Sequence, residues 1–61
     1  MNLSLLNVAF EVMKELNGLK YIYTENILGA ISSVSHKHNY NLSDSEITKV
    51  KALVNDALER L

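Results

Sequence analysis

The sequence predicts an all-α protein of three helices joined by two short connections, with residues 1–61 forming one domain. Three observations predict it. Proline is absent and only two glycines interrupt the chain; apolar residues recur every three or four positions along three stretches; and each stretch is bounded by residues that start or stop helices. A chain of about 60 residues hides only roughly 60% of the surface its unfolded form exposes. Small domains offset that deficit with disulfides, a metal or oligomerisation, and this sequence has no cysteine. The expected form is therefore a homodimeric helical bundle.

The first helix is predicted from about Leu3 to Leu16, where Leu5, Leu6, Ala9, Val12, Met13 and Leu16 make a stripe at helical spacing, with Val8 and Phe10 beside it. That face is wider than one packing partner needs. Asn17 and Gly18 end it, because glycine readily takes the left-handed conformation of a helix C-terminus. Next, "LKYIY", Leu19 to Tyr23, holds aromatic and β-branched residues that suit an extended connection.

The second helix is expected to start with Thr24 as N-cap and Glu25 in the first turn, where the helix dipole favours an acid. Its stripe is Ile27, Ile31, Val34 and His38, with Leu28 alongside. Gly29 costs about 1 kcal/mol of helix propensity relative to alanine, so the small pair Gly29 and Ala30 is expected at a helix crossing.

For the third helix, Asp44 to Leu61, Ser43 and Glu46 have capping-box spacing, and Leu42 with Ile47 that of a hydrophobic staple. Ile47, Val50, Val54, Ala57 and Leu61 follow at three and four residues, flanked by Leu53 and Leu58, and Asp56 with Arg60 forms an i, i+4 pair. Its length of roughly 27 Å leads to the expectation that part of it projects beyond its own core onto another chain.

Six basic and seven acidic residues are interspersed and leave a net charge of −1, so neither half is an evident phosphate-seeking surface. The apolar start "MNLSLLNVAF" lacks the cationic region and cleavage site of a signal peptide, no stretch reaches the ~18 apolar residues of a membrane span, and the address expected is cytoplasmic.

"SHKHNYNLSDSE", Ser35 to Glu46, holds both histidines. Two residues apart on a helix, His36 and His38 point about 200° from each other and share no metal; they converge only if the helix ends by Ser35. The stretch reads as a helix end, with His36 and Lys37 favoured there by the dipole, then a turn at Asn39 to Asn41, then a helix start. No nucleophile motif or phosphate-binding glycine loop is present, and the expectation is a protein that is not an enzyme, with no metal or cofactor. The nucleic-acid alternative is a ribbon-helix-helix order, with Lys20, Ile22 and Thr24 on one strand face and Tyr21 and Tyr23 on the other. The charge balance disfavours it.

An apolar first helix, then "TENILGAISSV", a polar joint and "LSDSEITKVKALVNDALERL" resemble, over about residues 4 to 61, the small three-helix AriR-type biofilm and acid-resistance regulators of enteric bacteria. The resemblance implies a helical dimer with a connector role in two-component signalling, a response regulator being the partner class. Separately, "NYNLSDSE" is similar to a short segment of the Hha-type modulators of nucleoid proteins.

The function expected is that of a small regulatory or adaptor protein that binds another protein and dimerises through its first and third helices. Leu5, Phe10, Val54, Leu58 and Leu61 are the residues expected to carry self-association.

Overall fold

The computed structural model describes residues 4–60 and contains three helices, α1 (Leu5–Leu16), α2 (Thr24–His38) and α3 (Asp44–Glu59), each packed on the other two. No described residue lies in a strand. The predicted all-α, three-helix class is the observed one.

Local chemistry sets each boundary. Ser4 caps α1, its Oγ accepting from the Asn7 N–H at 3.4 Å; part of the longer helix expected, Leu3, lies outside the described residues. Asn17 and Gly18 end α1 as expected, and Gly18 has a φ of +97°. The cap of α2 differs by one residue from the expectation. Tyr23, not Thr24, holds the cap position; its N–H donates to Asn26 Oδ1 at 2.9 Å, and its carbonyl accepts from the Asn26 N–H at 2.9 Å. At the other end Asn39 is left-handed with φ 57°, which lets the Tyr40 N–H donate to the Ser35 carbonyl at 2.8 Å. The turn at Asn39 to Asn41 is thus built as the sequence implies.

The capping box of α3 is present in both directions: Ser43 Oγ accepts from the Glu46 N–H at 3.2 Å, and Glu46 Oε1 accepts from the Ser43 N–H at 2.9 Å. Leu42 and Ile47 both pack against the core. The Ser43 N–H, and after it the Ser43 hydroxyl, hold the Glu46 carboxyl below its ordinary pKa. Its contribution to stability is therefore present above the ordinary glutamate range and is lost as pH falls through the lowered folded-state value. Glu46→Ala should flatten the acid side of the stability profile in pH-resolved urea denaturation, and an unchanged acid limb would contradict this. Ser43→Ala should cost about 1 kcal/mol in the same assay at neutral pH.

The core is wholly apolar. Val8, Ala9, Val12 and Leu16 of α1, Ile27, Ala30, Ile31 and Val34 of α2, and Val50 and Val54 of α3 are buried, and no described polar or charged side chain joins them. The expectation that α3 outruns its own core is not met among the described residues. Leu58, in the last turn, still packs against it.

Gly29 also departs from the expectation. Ala30 is buried, but Gly29 is exposed, and a Cβ built there meets nothing within 4 Å. Among the described residues no helix crosses at Gly29. Gly29→Ala should therefore raise stability by about 0.5–1 kcal/mol, whereas Gly18→Ala should lower it because of the positive φ. Thermal or urea unfolding of the two variants checks both signs.

Candidate interaction surface

Each helical residue turns its side chain by about 100°, and that angle sorts α1 into two stripes. Leu5, Val8, Val12 and Leu16 fall together and face the core. Leu6, Phe10 and Met13, spaced four and three apart, lie roughly a third of a turn away. Ala9 sits between the two. On α3 the same angle groups Ile47, Val50, Val54 and Leu58 on the core side, and Leu53, Asp56, Ala57 and Arg60 beside them.

The two outer groups meet in one groove of about 320 Å³ along α1 and α3. Leu6, Phe10 and Met13 form one wall and Leu53 the other; Ala9 and Ala57 make a low floor. Leu6 is 56% exposed, Phe10 59% and Leu53 37%, so the described residues leave these side chains uncovered. Asp56 and Arg60 edge the groove, with Oδ2 and Nε 3.3 Å apart in the i, i+4 pair expected from the sequence.

Of the five residues expected to carry self-association, Phe10 lines this groove. Leu5 and Leu58 are half-buried against the chain's own core, and Val54 is 0% exposed within it. Leu61 lies outside the described residues. The structure brings Phe10 together with Leu6, Met13 and Leu53, which the sequence reading placed in the stripes without choosing them. Their signal was the second apolar repeat of α1, displaced from the first by one position.

The polar joint holds a different set of contacts. Lys37 Nζ lies 2.9 Å from Glu15 Oε1, tying the end of α2 to α1, and Lys14 Nζ lies 3.3 Å from Glu11 Oε1. The hydrogen bond and charge of Glu15 raise the Lys37 pKa. This tie is present below the ordinary lysine range and is lost as pH rises through the raised value.

His38 does not complete the apolar stripe. It is exposed, stacks on Tyr40 with ring centroids 5.2 Å apart, and places Nε2 3.8 Å from Glu11 Oε2. Because α2 continues through both histidines to His38, His36 and His38 remain about 200° apart in direction. No group of three or more His, Asp or Glu side chains among the described residues is arranged to hold a metal ion.

The connection Leu19 to Tyr23 bends at Lys20 and Tyr21, so it offers no straight strand face. Ile22 packs on the core, Lys20 Nζ lies 5.8 Å from the Tyr21 ring centre, and Tyr21 and Tyr23 are exposed. The shared face expected for Lys20, Ile22 and Thr24 is not formed. A second concavity, beneath the α2–α3 joint, is bordered by Leu28, Ile31, Tyr40, Leu42 and Ile47 and by polar Ser32, Ser35 and Asn41.

Fold and groove together define a three-helix domain with an open apolar channel between α1 and α3. No protein-family model, curated protein or solved structure matches this chain. No described helix is long and apolar enough to cross a membrane.

Proposed function

We propose that this chain is a small non-enzymatic regulatory or adaptor protein that acts by binding protein through the groove between α1 and α3. The carrying observation is the exposed pair Leu6 and Phe10, with the half-buried Met13 at the end of their row, opposite Leu53 and left open over Ala9 and Ala57. Apolar side chains uncovered along one continuous channel mark an interaction site. A two-helix channel of this kind accepts an amphipathic helix, whose own anchors recur at three and four residues. The resemblance to biofilm regulators makes a response regulator the first outside partner to assay. The compartment in this reading is the cytoplasm.

Photo-crosslinking in the native cell tests it. A photoreactive residue replacing Phe10 should give a protein adduct, and one replacing the exposed Leu28 of α2 should give much less. Adducts from Leu28 alone, or none from either, would sink the proposal. A dimeric nucleic-acid-binding regulator would instead shift duplex DNA in a salt-dependent way, and the bend at Lys20 with a net charge of −1 gives that alternative no support.

A further inference from the structure

We infer that Asn17–Gly18, the stop of α1, is a site of spontaneous covalent modification, at which the asparagine loses its amide and becomes aspartate or isoaspartate. This does not depend on what fills the groove.

The residue after the asparagine carries the chemistry. The Gly18 nitrogen gives its proton to hydroxide and attacks Asn17 Cγ. The N–Cγ bond forms, the Cγ–Nδ2 bond breaks, and Nδ2 leaves as ammonia after taking a proton from water. Water then opens the cyclic imide. Attack at Cγ leaves aspartate, and attack at the Asn17 main-chain carbonyl leaves isoaspartate, whose main chain runs through Cβ and Cγ. Overall a water enters and an ammonia leaves, with no oxidation or reduction. A side chain on the attacking residue hinders the ring closure, and glycine has none.

The structure leaves this pair free to react. Of the seven asparagines, only Asn17 precedes a glycine. Both residues are exposed, a Cβ built at Gly18 meets nothing within 4 Å, and no described backbone carbonyl accepts from the Gly18 N–H. The Asn17 ψ of 131° turns the Gly18 nitrogen away from the side chain, so attack needs a rotation about that bond. The turn is held by the Asn17 N–H on the Lys14 carbonyl and the Leu19 N–H on the Leu16 carbonyl, each at 3.2 Å. Both bonds lie at a helix end, where local opening is easiest.

The other described asparagines lack this combination. The N–H groups that follow Asn7 and Asn26 donate to the Ser4 and Tyr23 carbonyls at 3.2 Å, and the one that follows Asn39 donates to the Ser35 carbonyl at 2.8 Å. Asn55 lies inside α3, and Asn41 precedes Leu42, whose side chain packs against the core.

Either product places a carboxylate at the C-terminal end of α1, where the helix dipole disfavours negative charge. Isoaspartate also adds a main-chain carbon between the Leu16 carbonyl and the Leu19 N–H that bonds to it. Leu16 is a core residue, 3% exposed, so the modified chain should be less stable.

Peptide mapping of the full wild-type chain, held folded in mildly alkaline buffer over time, tests the inference by mass spectrometry that separates isoaspartate from aspartate. The amide at Asn17 should be lost before that of any other asparagine. Gly18→Ala should slow this loss, although it weakens the helix end, because the added methyl hinders the attack. Modified chains separated by ion exchange should unfold at a lower urea concentration than unmodified ones.

An Asn17 amide that survives in the folded chain while the urea-unfolded chain loses it would overturn the inference. So would loss at Asn41 as fast as at Asn17, or a Gly18→Ala chain that reacts as fast as the wild type. A modified chain with an unchanged urea midpoint would overturn the structural consequence.

Discussion

Ile31→Ala is expected to lose between about a fifth of its stability and all of it. Ile31 is 2% exposed on the inner face of α2, among the other buried apolar residues of a single core. Truncating such a residue to alanine costs about 2–5 kcal/mol, from lost burial and from the void left where neighbours relax only partly. At roughly 0.05–0.15 kcal/mol per residue, a chain of this length has only about 3–9 kcal/mol to lose. In urea, with a slope of about 1 kcal/mol/M for so small a domain, the midpoint should fall by about 2 M or more. The comparison is made at one chain concentration, since any self-association makes apparent stability depend on it. A midpoint shift below about 0.5 M would mean that α2 is not seated as described. Leu28→Ala is the control: it lies on the same helix but is 42% exposed, so its loss should be well under that of Ile31.

What the sequence made legible is local. The capping box at Ser43 and Glu46, the stop at Asn17 and Gly18 and the turn at Asn39 depend on groups within a few residues of each other, so their spacing alone specifies them. The cap of α2 escaped by one residue because the relevant oxygen belongs to Asn26, which reaches back to Tyr23, and not to the hydroxyl of Thr24.

The rotation of α1 about its own axis was not legible. Leu5 and Leu6 are chemically identical, and both belong to apolar repeats of helical spacing, so only packing against α2 and α3 decides which repeat faces inward. Leu5, Val54 and Leu58, picked from these repeats, lie on the stripes that pack into the chain's own core. His38 misled for a related reason. The repeat continues through it, but the core it would join has already ended at Val34.

Val54→Asp separates the two sides most sharply, and it should leave little folded protein near neutral pH. Val54 is 0% exposed, and no described buried side chain is polar, so a carboxylate there would have no partner. Losing the valine's burial costs about 1.5–3 kcal/mol, and an unpaired buried charge adds several more. Together these match or exceed the roughly 3–9 kcal/mol available to a chain of this length.

The introduced acid would be held neutral in the folded state, which raises its folded pKa above the unfolded value of about 3.9. The folded form then binds the extra proton, so the penalty grows as pH rises and shrinks as pH falls toward the unfolded value. Helical circular dichroism of Val54→Asp should accordingly recover in part near pH 4 relative to pH 7, against the trend set by Glu46 in the wild-type chain. Phe10→Glu, on the outer stripe of α1, should keep its helix signal across the same range because its side chain reaches solvent. A Val54→Asp chain that stays fully helical at neutral pH and only changes its mass would return Val54 to the interface and take the α1–α3 packing described here with it.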